Sequence, residues 1–318
     1  MSAIIEINQL TKCYGDRTAV KDLNLTVYEG EIFGFVGPNG AGKTSTIRMI
    51  ATLLQPTSGE IRVAGHPVHS NPRAVRRAIG YMPDFFGVYH DLKVWEYLDF
   101  FAACYGIRES VRKTIIDELL DLVDLSHRRD DWVEDLSRGM KQRLCLARTL
   151  VHDPQVLILD EPASGLDPRA RIEIRELLIE LARLGKTIFF STHILSDVAE
   201  ISTRVGIIEA GEIVAVGALD ELQQQVLARR TVQITVLDRL EEAQEILRAS
   251  TGVVSAVELL AAGSNGRKTI EIEFSGDDAS LSELLAGLVK QGIPVVNFSE
   301  DRKDLEEVFM RATRGVVS

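Results

Sequence analysis

Two hydrophobic periods alternate along this chain and divide it into regions. Up to about residue 80, short apolar runs alternate with turns at Ala3–Ile7, Leu23–Val27, Ile32–Val36 and Glu60–Val63, the pattern of short strands. One of these runs leads through a glycine-rich turn into a helical stretch, Thr44–Leu54. From about 85 to 155 the spacing is helical, with Trp95, Leu98, Phe101 and Ala102 on one face and Ile115, Leu119, Leu122 and Val123 on another. Strands return at Val156–Leu159, Thr187–Ser191 and Val205–Glu209. Helices of about fifteen residues separate them, which predicts an α/β fold with a parallel sheet.

After the polar stretch Gln223–Gln225 the order changes. It reads strand (Thr231–Leu237), helix (Arg239–Ala249), strand (Val254–Leu260), turn (Gly263–Arg267) and strand (Thr269–Phe274). A helix (Leu281–Gln291), a strand (Pro294–Ser299) and a last helix (Asp304–Arg314) follow. This is a β-α-β-β-α-β unit, a small α+β domain of the ferredoxin-like kind with an extra helix. The expected domains are therefore residues 1–222 and 226–318, the first holding a helical subdomain at about 85–155. A chain of 318 residues suits one large domain and one smaller one.

Composition narrows the function classes. The net charge of −11 disfavours nucleic acid as a partner, because such binding leans on Lys and Arg neutralising phosphates. The local basic run Arg73, Arg76, Arg77 reads as a solvated helix face. Cys13, Cys104 and Cys145 are far apart with no CxxC pair, so reduced thiols are expected and a thiolate metal site is not. His66 and His69 flank Pro67 in an expected turn with nothing nearby to complete a metal site, and His90, His127 and His152 are isolated; all read as structural or solvated. The N-terminal residues do not read as a signal peptide, and no run of about 18 apolar residues occurs. Work at a membrane would need a partner to supply the span.

The chemistry starts at Gly37, Pro38, Asn39, Gly40, Ala41, Gly42, Lys43, Thr44 and Ser45, which match GxxxxGK[ST] directly after an apolar strand. Glycines let successive backbone N–H groups turn inward around phosphate oxygens, and the following helix aims its positive end at the same anion. Lys43 would reach the β- and γ-phosphates, and the Thr44 hydroxyl would ligate Mg²⁺. A second element answers the first. The buried-strand run Val156–Leu159 ends in Asp160 and Glu161. Asp160 suits holding Mg²⁺, and Glu161 suits polarising an attacking water.

Between these elements stands Leu136-Ser137-Arg138-Gly139-Met140-Lys141-Gln142-Arg143. This LSxGxxQ run before a DE-ended strand resembles the signature sequence of ATP-binding cassette (ABC) ATPases. Residues 1 to about 220 as a whole resemble that cassette. The resemblance implies a P-loop NTPase (RecA-like) core with an antiparallel β-subdomain and a helical subdomain. Tyr14 resembles the aromatic that stacks on adenine. The Ser164–Asp167 segment resembles the loop joining two cassettes, with Asp167 its acidic residue, and His193 resembles the switch histidine at the γ-phosphate. The implied cofactors are ATP and Mg²⁺, with Glu161 and His193 catalytic.

A serine hydroxyl and glycine N–H groups at a helix N-terminus make an anion site. Within one chain, Ser137, Arg138, Gly139 and Gln142 are expected to lie far from the phosphate loop. In the family the signature closes over the γ-phosphate of the other subunit. The resemblance therefore implies a head-to-tail dimer. Because Ser137, Gly139, Glu161 and His193 all match, a homodimer would have complete sites. The other implied partner is an integral membrane permease, which would hold this chain at the cytoplasmic face of the cell membrane.

One position departs from the family pattern. Asp84 stands where the family places Gln, after the strand-like run beginning at Ile79. A carboxylate can still ligate Mg²⁺ but, when ionised, cannot donate a hydrogen bond. The expectation is that Asp84 remains a metal-side ligand and a coupling residue. Phe85, Phe86, Tyr89, Trp95, Tyr97, Phe100 and Phe101 form an aromatic cluster nearby. It reads either as packing within the helical subdomain or as a groove for a short helix of a membrane subunit. The ending Asp304–Thr313 resembles the tail of cassettes from bacterial exporters. The competing class is a soluble ABC ATPase acting on nucleic acid or ribosomes, but this chain has one cassette and no long heptad run.

Overall fold

The computed structural model describes residues 2–84, 87, 91–219, 221–222, 230–259 and 268–301. Phe85, Phe86, Tyr89 and His90, the stretch Gln223–Gln225, the turn Gly263–Arg267 and the tail Asp304–Arg314 lie outside the described residues. The chain divides into two compact units, Met1–Leu219 and Asp220–Arg311.

In the first unit the strands are β1 (Ala3–Tyr14), β2 (Arg17–Tyr28), β3 (Ile32–Val36), β4 (Ser58–Val63), β5 (His66–Pro67), β6 (Ile79–Met82), β7 (Val156–Asp160), β8 (Thr187–Thr192), β9 (Arg204–Glu209) and β10 (Glu212–Ala218). The helices are α1 (Lys43–Ile50), α2 (Pro72–Ala78), α3 (Val94–Cys104), α4 (Glu109–Leu122), α5 (Arg138–Leu150), α6 (Pro168–Arg183) and α7 (Leu195–Ile201). A six-stranded sheet runs β10-β9-β3-β8-β7-β6, with all neighbours parallel except the antiparallel edge pair β10/β9. β3, β7 and β8 are buried along their whole length, as parallel strands covered on both faces must be. Phe189 of β8 stacks on Phe33 at 5.5 Å and leans on Phe35 at 5.4 Å. An antiparallel sheet runs β2-β1-β4-β5.

The strands depart from expectation where polar residues continue the pairing. β1 and β2 each run twelve residues, well beyond Ile7 and back before Leu23, because the hairpin stays paired to Tyr14 and Arg17 around its turn. Gln9 and Asp22, at φ +47 and +44, mark irregularities that break the apolar alternation inside it. β10 was not expected. Its signal is the two-residue turn Ala210-Gly211, both at positive φ, which reverses the chain beside β9. α1 stops at Ile50 rather than Leu54. Thr52 takes φ +65, and Leu53 and Leu54 donate back to the Arg48 carbonyl, closing the helix before Pro56.

In α3, Tyr97, Leu98 and Ala102 are buried while Trp95 and Phe101 are half-buried. In α4 the buried residues are Ile116, Leu119 and Leu120; of the expected positions Leu119 and Val123, just past the helix, are buried, while Ile115 and Leu122 are half-buried. Arg73, Arg76 and Arg77 of α2 are exposed. Cys145 is buried, which pushes its thiol up to about 11 and leaves it unreactive.

The second unit contains β11 (Arg230–Val236), α8 (Leu240–Ala249), β12 (Val253–Leu259), β13 (Lys268–Phe274), α9 (Asp278–Lys290) and β14 (Val295–Asp301). Its sheet order is β12-β13-β11-β14 with every pair antiparallel, the ferredoxin-like arrangement. Val232, Ile234, Ile270, Ile272 and Phe274 bury one sheet face with Leu247 and Leu288 of the two helices. α9 starts three residues before Leu281 because the Asp277 carboxylate accepts from the Ser280 N–H at 2.9 Å and caps it.

Candidate functional site

The C-terminal ends of β3, β7 and β8 lie side by side, β3 leading into a glycine-rich loop, β7 ending in Asp160 and β8 leading to His193. β3 runs into the loop Gly37–Gly42. Gly40 and Gly42 take φ of +84 and +106, and a Cβ on Gly42 would stand 2.5 Å from the Ala19 carbonyl oxygen. A Cβ on Gly37 would stand 2.3 Å from the Ile208 carbonyl oxygen. The backbone path is thus closed to other residues at two points. No side chain caps α1, which leaves its first turn to an anion.

Lys43 is 5% exposed and donates from Nζ to the carbonyls of Gly37 at 2.7 Å and Pro38 at 3.2 Å. Its Nζ is also 3.6 Å from Glu161 Oε1. Burial pulls the Lys43 ammonium below the ordinary lysine range, with Glu161 and Asp160 opposing.

Asp160, last in β7, is fully buried. Its Oδ1 accepts from Ser191 Oγ at 2.6 Å and Thr44 Oγ1 at 3.3 Å, while its buried Oδ2 has no partner among the described residues. Burial holds its carboxyl above the usual carboxylate range. The two hydroxyls oppose that shift, and the carboxylates of Asp84 and Glu161 add to it.

An orphaned buried carboxylate oxygen beside a threonine hydroxyl is an all-oxygen donor pair, which fits Mg²⁺. No group of three or more His, Cys, Asp or Glu side chains fit for a metal occurs among the described residues.

Glu161 follows at φ +52, a backbone conformation that costs about 1–3 kcal/mol and persists only where the surroundings enforce it. Its N–H donates to Ser191 Oγ at 3.1 Å, and its Oε2 lies 2.8 Å from His193 Nδ1. His193 stands just past β8 with 43% of its side chain exposed. Ser191 therefore fixes both acids: it donates to Asp160 and accepts from the Glu161 backbone.

Tyr14 at the end of β1 is half-exposed, its hydroxyl 3.4 Å from Ser45 Oγ and its ring 5.1 Å from Lys12 Nζ. Tyr14, Asn39, Lys43, Thr44, Glu161 and His193 line one open cleft of about 650 Å³, together with Asp84. Arg17 also lines it and was missed. It pairs with Tyr14 across the hairpin turn, so a hairpin read from Gly15 would have placed it there.

The signature residues separate. Ser137 caps α5, accepting from the Met140 N–H at 3.3 Å. Gly139 lies against Ala170, where a Cβ would approach to 3.1 Å. Gln142 is buried and donates to the Pro162 carbonyl at 2.6 Å. Arg138 does not keep the expected distance from the phosphate loop. Its long side chain crosses from the start of α5 to the Ser164 carbonyl at 3.2 Å and lines the cleft of its own chain. Asp167 caps α6, its Oδ1 accepting from the N–H groups of Arg169 and Ala170, both at 3.0 Å.

Residues 20–164 match the model of the ABC transporter family, and residues 217–313 match the C-terminal domain of ATP-binding proteins like DrrA1-3. The bacitracin transport ATP-binding protein BcrA of Bacillus licheniformis is 43% identical over 71% of this chain and 73% of its own. The linearmycin resistance ATP-binding protein LnrL of Bacillus subtilis (strain 168) is 31% identical over 98% of both chains. The Nod factor export ATP-binding protein I of Rhizobium meliloti (strain 1021) is 35% identical over 97% of this chain and 88% of its own. A solved ATP-binding subunit of an ABC transporter superposes with a TM-score of 0.64 at 31% identity, covering 70% of this chain and 93% of its own. With this similarity across both units, and a phosphate loop facing Asp160 and Glu161, the chain belongs to the ATP-binding subunits of ABC transporters, ATPases whose turnover is coupled to transport.

Proposed function

We propose that this chain drives an exporter, closing as a dimer of identical chains on two ATP molecules and passing that motion to a separate membrane permease. The observation that carries the reading is the junction of Lys43, Thr44, Asp160, Glu161 and His193 at three adjacent strand ends. Lys43 and the loop N–H groups hold the β- and γ-phosphates. Thr44 and Asp160 hold Mg²⁺, whose charge offsets that of the phosphates, with Asp84 on the same side. Glu161 orients the attacking water, and His193 holds Glu161 by the 2.8 Å contact while facing the γ-phosphate. Tyr14 offers its exposed ring to adenine. Ser137 and Gly139 serve the partner's nucleotide, with Asp167 at the junction of the two cassettes.

Export is supported by the relatives matched over almost the whole chain, which are named for Nod factor export and linearmycin resistance. No described helix is long and apolar enough to cross a membrane, so the reading places the chain at the membrane's cytoplasmic face through its permease. The half-exposed aromatics of α3, Trp95 and Phe100 among them, are the side chains it offers to such a partner.

Complementation in trans tests the shared site. Lys43→Ala and Gly139→Arg chains are each expected to be inactive alone. Mixed, they form dimers with one intact composite site and regain turnover. No recovery on mixing, with dimers confirmed by sedimentation, would contradict the shared site.

A further inference from the structure

α5 grips the loop that carries Glu161 at two points one helical turn apart. Arg138 and Gln142 are spaced i, i+4 and share one helix face. Gln142 Nε2 donates to the Pro162 carbonyl at 2.6 Å, and Arg138 Nη2 donates to the Ser164 carbonyl at 3.2 Å. Pro162 and Ser164 stand one and three positions after Glu161, whose own φ of +52 needs enforcement from its surroundings.

The Arg138 contact is more than one hydrogen bond. Gly165 takes φ +67, and a Cβ there would stand 2.3 Å from Arg138 Nη2 and 2.5 Å from its Cζ. The guanidinium therefore packs closely on Gly165, where the positive φ favours glycine and a side chain would have to displace the Arg138 head group. Asp167 closes the far end of the loop by capping α6. Residues 161–167 are thus held at both ends and braced in the middle by α5.

We propose that Arg138, with Gln142 beneath it, is a positioning residue that acts within its own chain by fixing the Glu161 loop. The inference rests on the assignment of Glu161 to the attacking water. A direct grip on phosphate by Arg138, in its own chain or across a dimer, is the competing role, and the two predict different kinetics. A positioning residue lowers kcat and leaves nucleotide affinity alone. A phosphate ligand raises the ATP Kd.

The test uses the full chain with Arg138→Gln and Arg138→Lys. Arg138 is exposed, so neither change empties a core site. Misplacing a reacting group by about 1 Å costs up to about a hundredfold. Arg138→Gln is expected to lower kcat by about ten- to a hundredfold with ATP Kd within about twofold of wild type. Arg138→Lys restores part of it, because an ammonium still reaches the Ser164 carbonyl. In the Glu161→Gln background, Arg138→Gln adds no further loss of residual turnover. An ATP Kd raised by the same factor as kcat falls, an unchanged kcat, or a full additional loss in the Glu161→Gln background would each overturn the proposal. Absence of ATP binding by the wild-type chain would instead strike the underlying site assignment.

Discussion

At Gly42 the φ of +106 and the Ala19 carbonyl 2.5 Å from an added Cβ act together. Gly42→Ala must move the β2 backbone or abandon the loop path. Positive-φ strain alone costs about 1–3 kcal/mol. The expected outcome is a lowered Tm together with an ATP Kd raised at least about tenfold. Titration calorimetry and a thermal melt check it, and an unchanged Kd would show that the loop path is not what holds phosphate.

Asp84 shares the cleft with Lys43 and Glu161, and its charge helps hold the Asp160 carboxyl above its usual range. Asp84→Asn keeps the side-chain shape and removes that charge. Turnover measured against Mg²⁺ concentration should shift its midpoint. An identical curve would remove Asp84 from the metal side.

These residues were legible because glycine, lysine and paired acids carry their chemistry in their type and spacing. Arg138 was read as part of the signature, but its reach to the Ser164 carbonyl was not, because a side chain that spans from one helix to another loop has no local pattern. Ser191 was hidden for the same reason: its bonds to Asp160 and to the Glu161 N–H join two strands about thirty positions apart in sequence.

Among the elements, buried parallel strands were the clearest, since β3 and β7 carry continuous apolar runs and β8 an apolar centre, all fully buried. Amphipathic or polar segments were not, as the extension of β1 and β2 and the unread β10 show. The buried face of α4 was legible in part: Leu119 and Val123 are buried as expected, while Ile116 and Leu120 are buried where Ile115 and Leu122 are only half-buried.

One contact between elements titrates. His152, just past α5, stacks on Tyr105 at a 3.8 Å centroid distance, and its Nε2 lies 2.9 Å from the Ile79 carbonyl that opens β6. Burial lowers its pKa from the ordinary 6.5. In the unfolded chain His152 takes a proton near that ordinary value, while the folded chain resists it. The unfolded state therefore binds more protons in the window, and stability falls as the pH drops through about 6.5 towards the lowered folded value. Thermal melts between about pH 7.5 and 5 should show this slope, and His152→Gln should flatten part of it. An unchanged slope in the variant would assign the dependence to other groups.

At the scale of the whole molecule, two units each carry their own core, and the nucleotide cleft lies wholly in the first. The cassette order was readable because its motifs follow one another in sequence. The βαββαβ order of the second unit was readable as well, though only the pairing β12-β13-β11-β14 makes it a sheet of ferredoxin-like topology. The net charge of −11 and the relatives matched along almost the full length point the energy of hydrolysis toward a transporter rather than nucleic acid.

The most direct measurement pairs turnover with assembly in Glu161→Gln. Removing the carboxylate while keeping its shape should cut ATP turnover by at least about a hundredfold. ATP should still bind with near wild-type affinity. With ATP and Mg²⁺ present, the variant should sediment as a stable dimer, and without nucleotide as a monomer. Turnover equal to wild type, or a sedimentation profile that ignores ATP, would contradict the account.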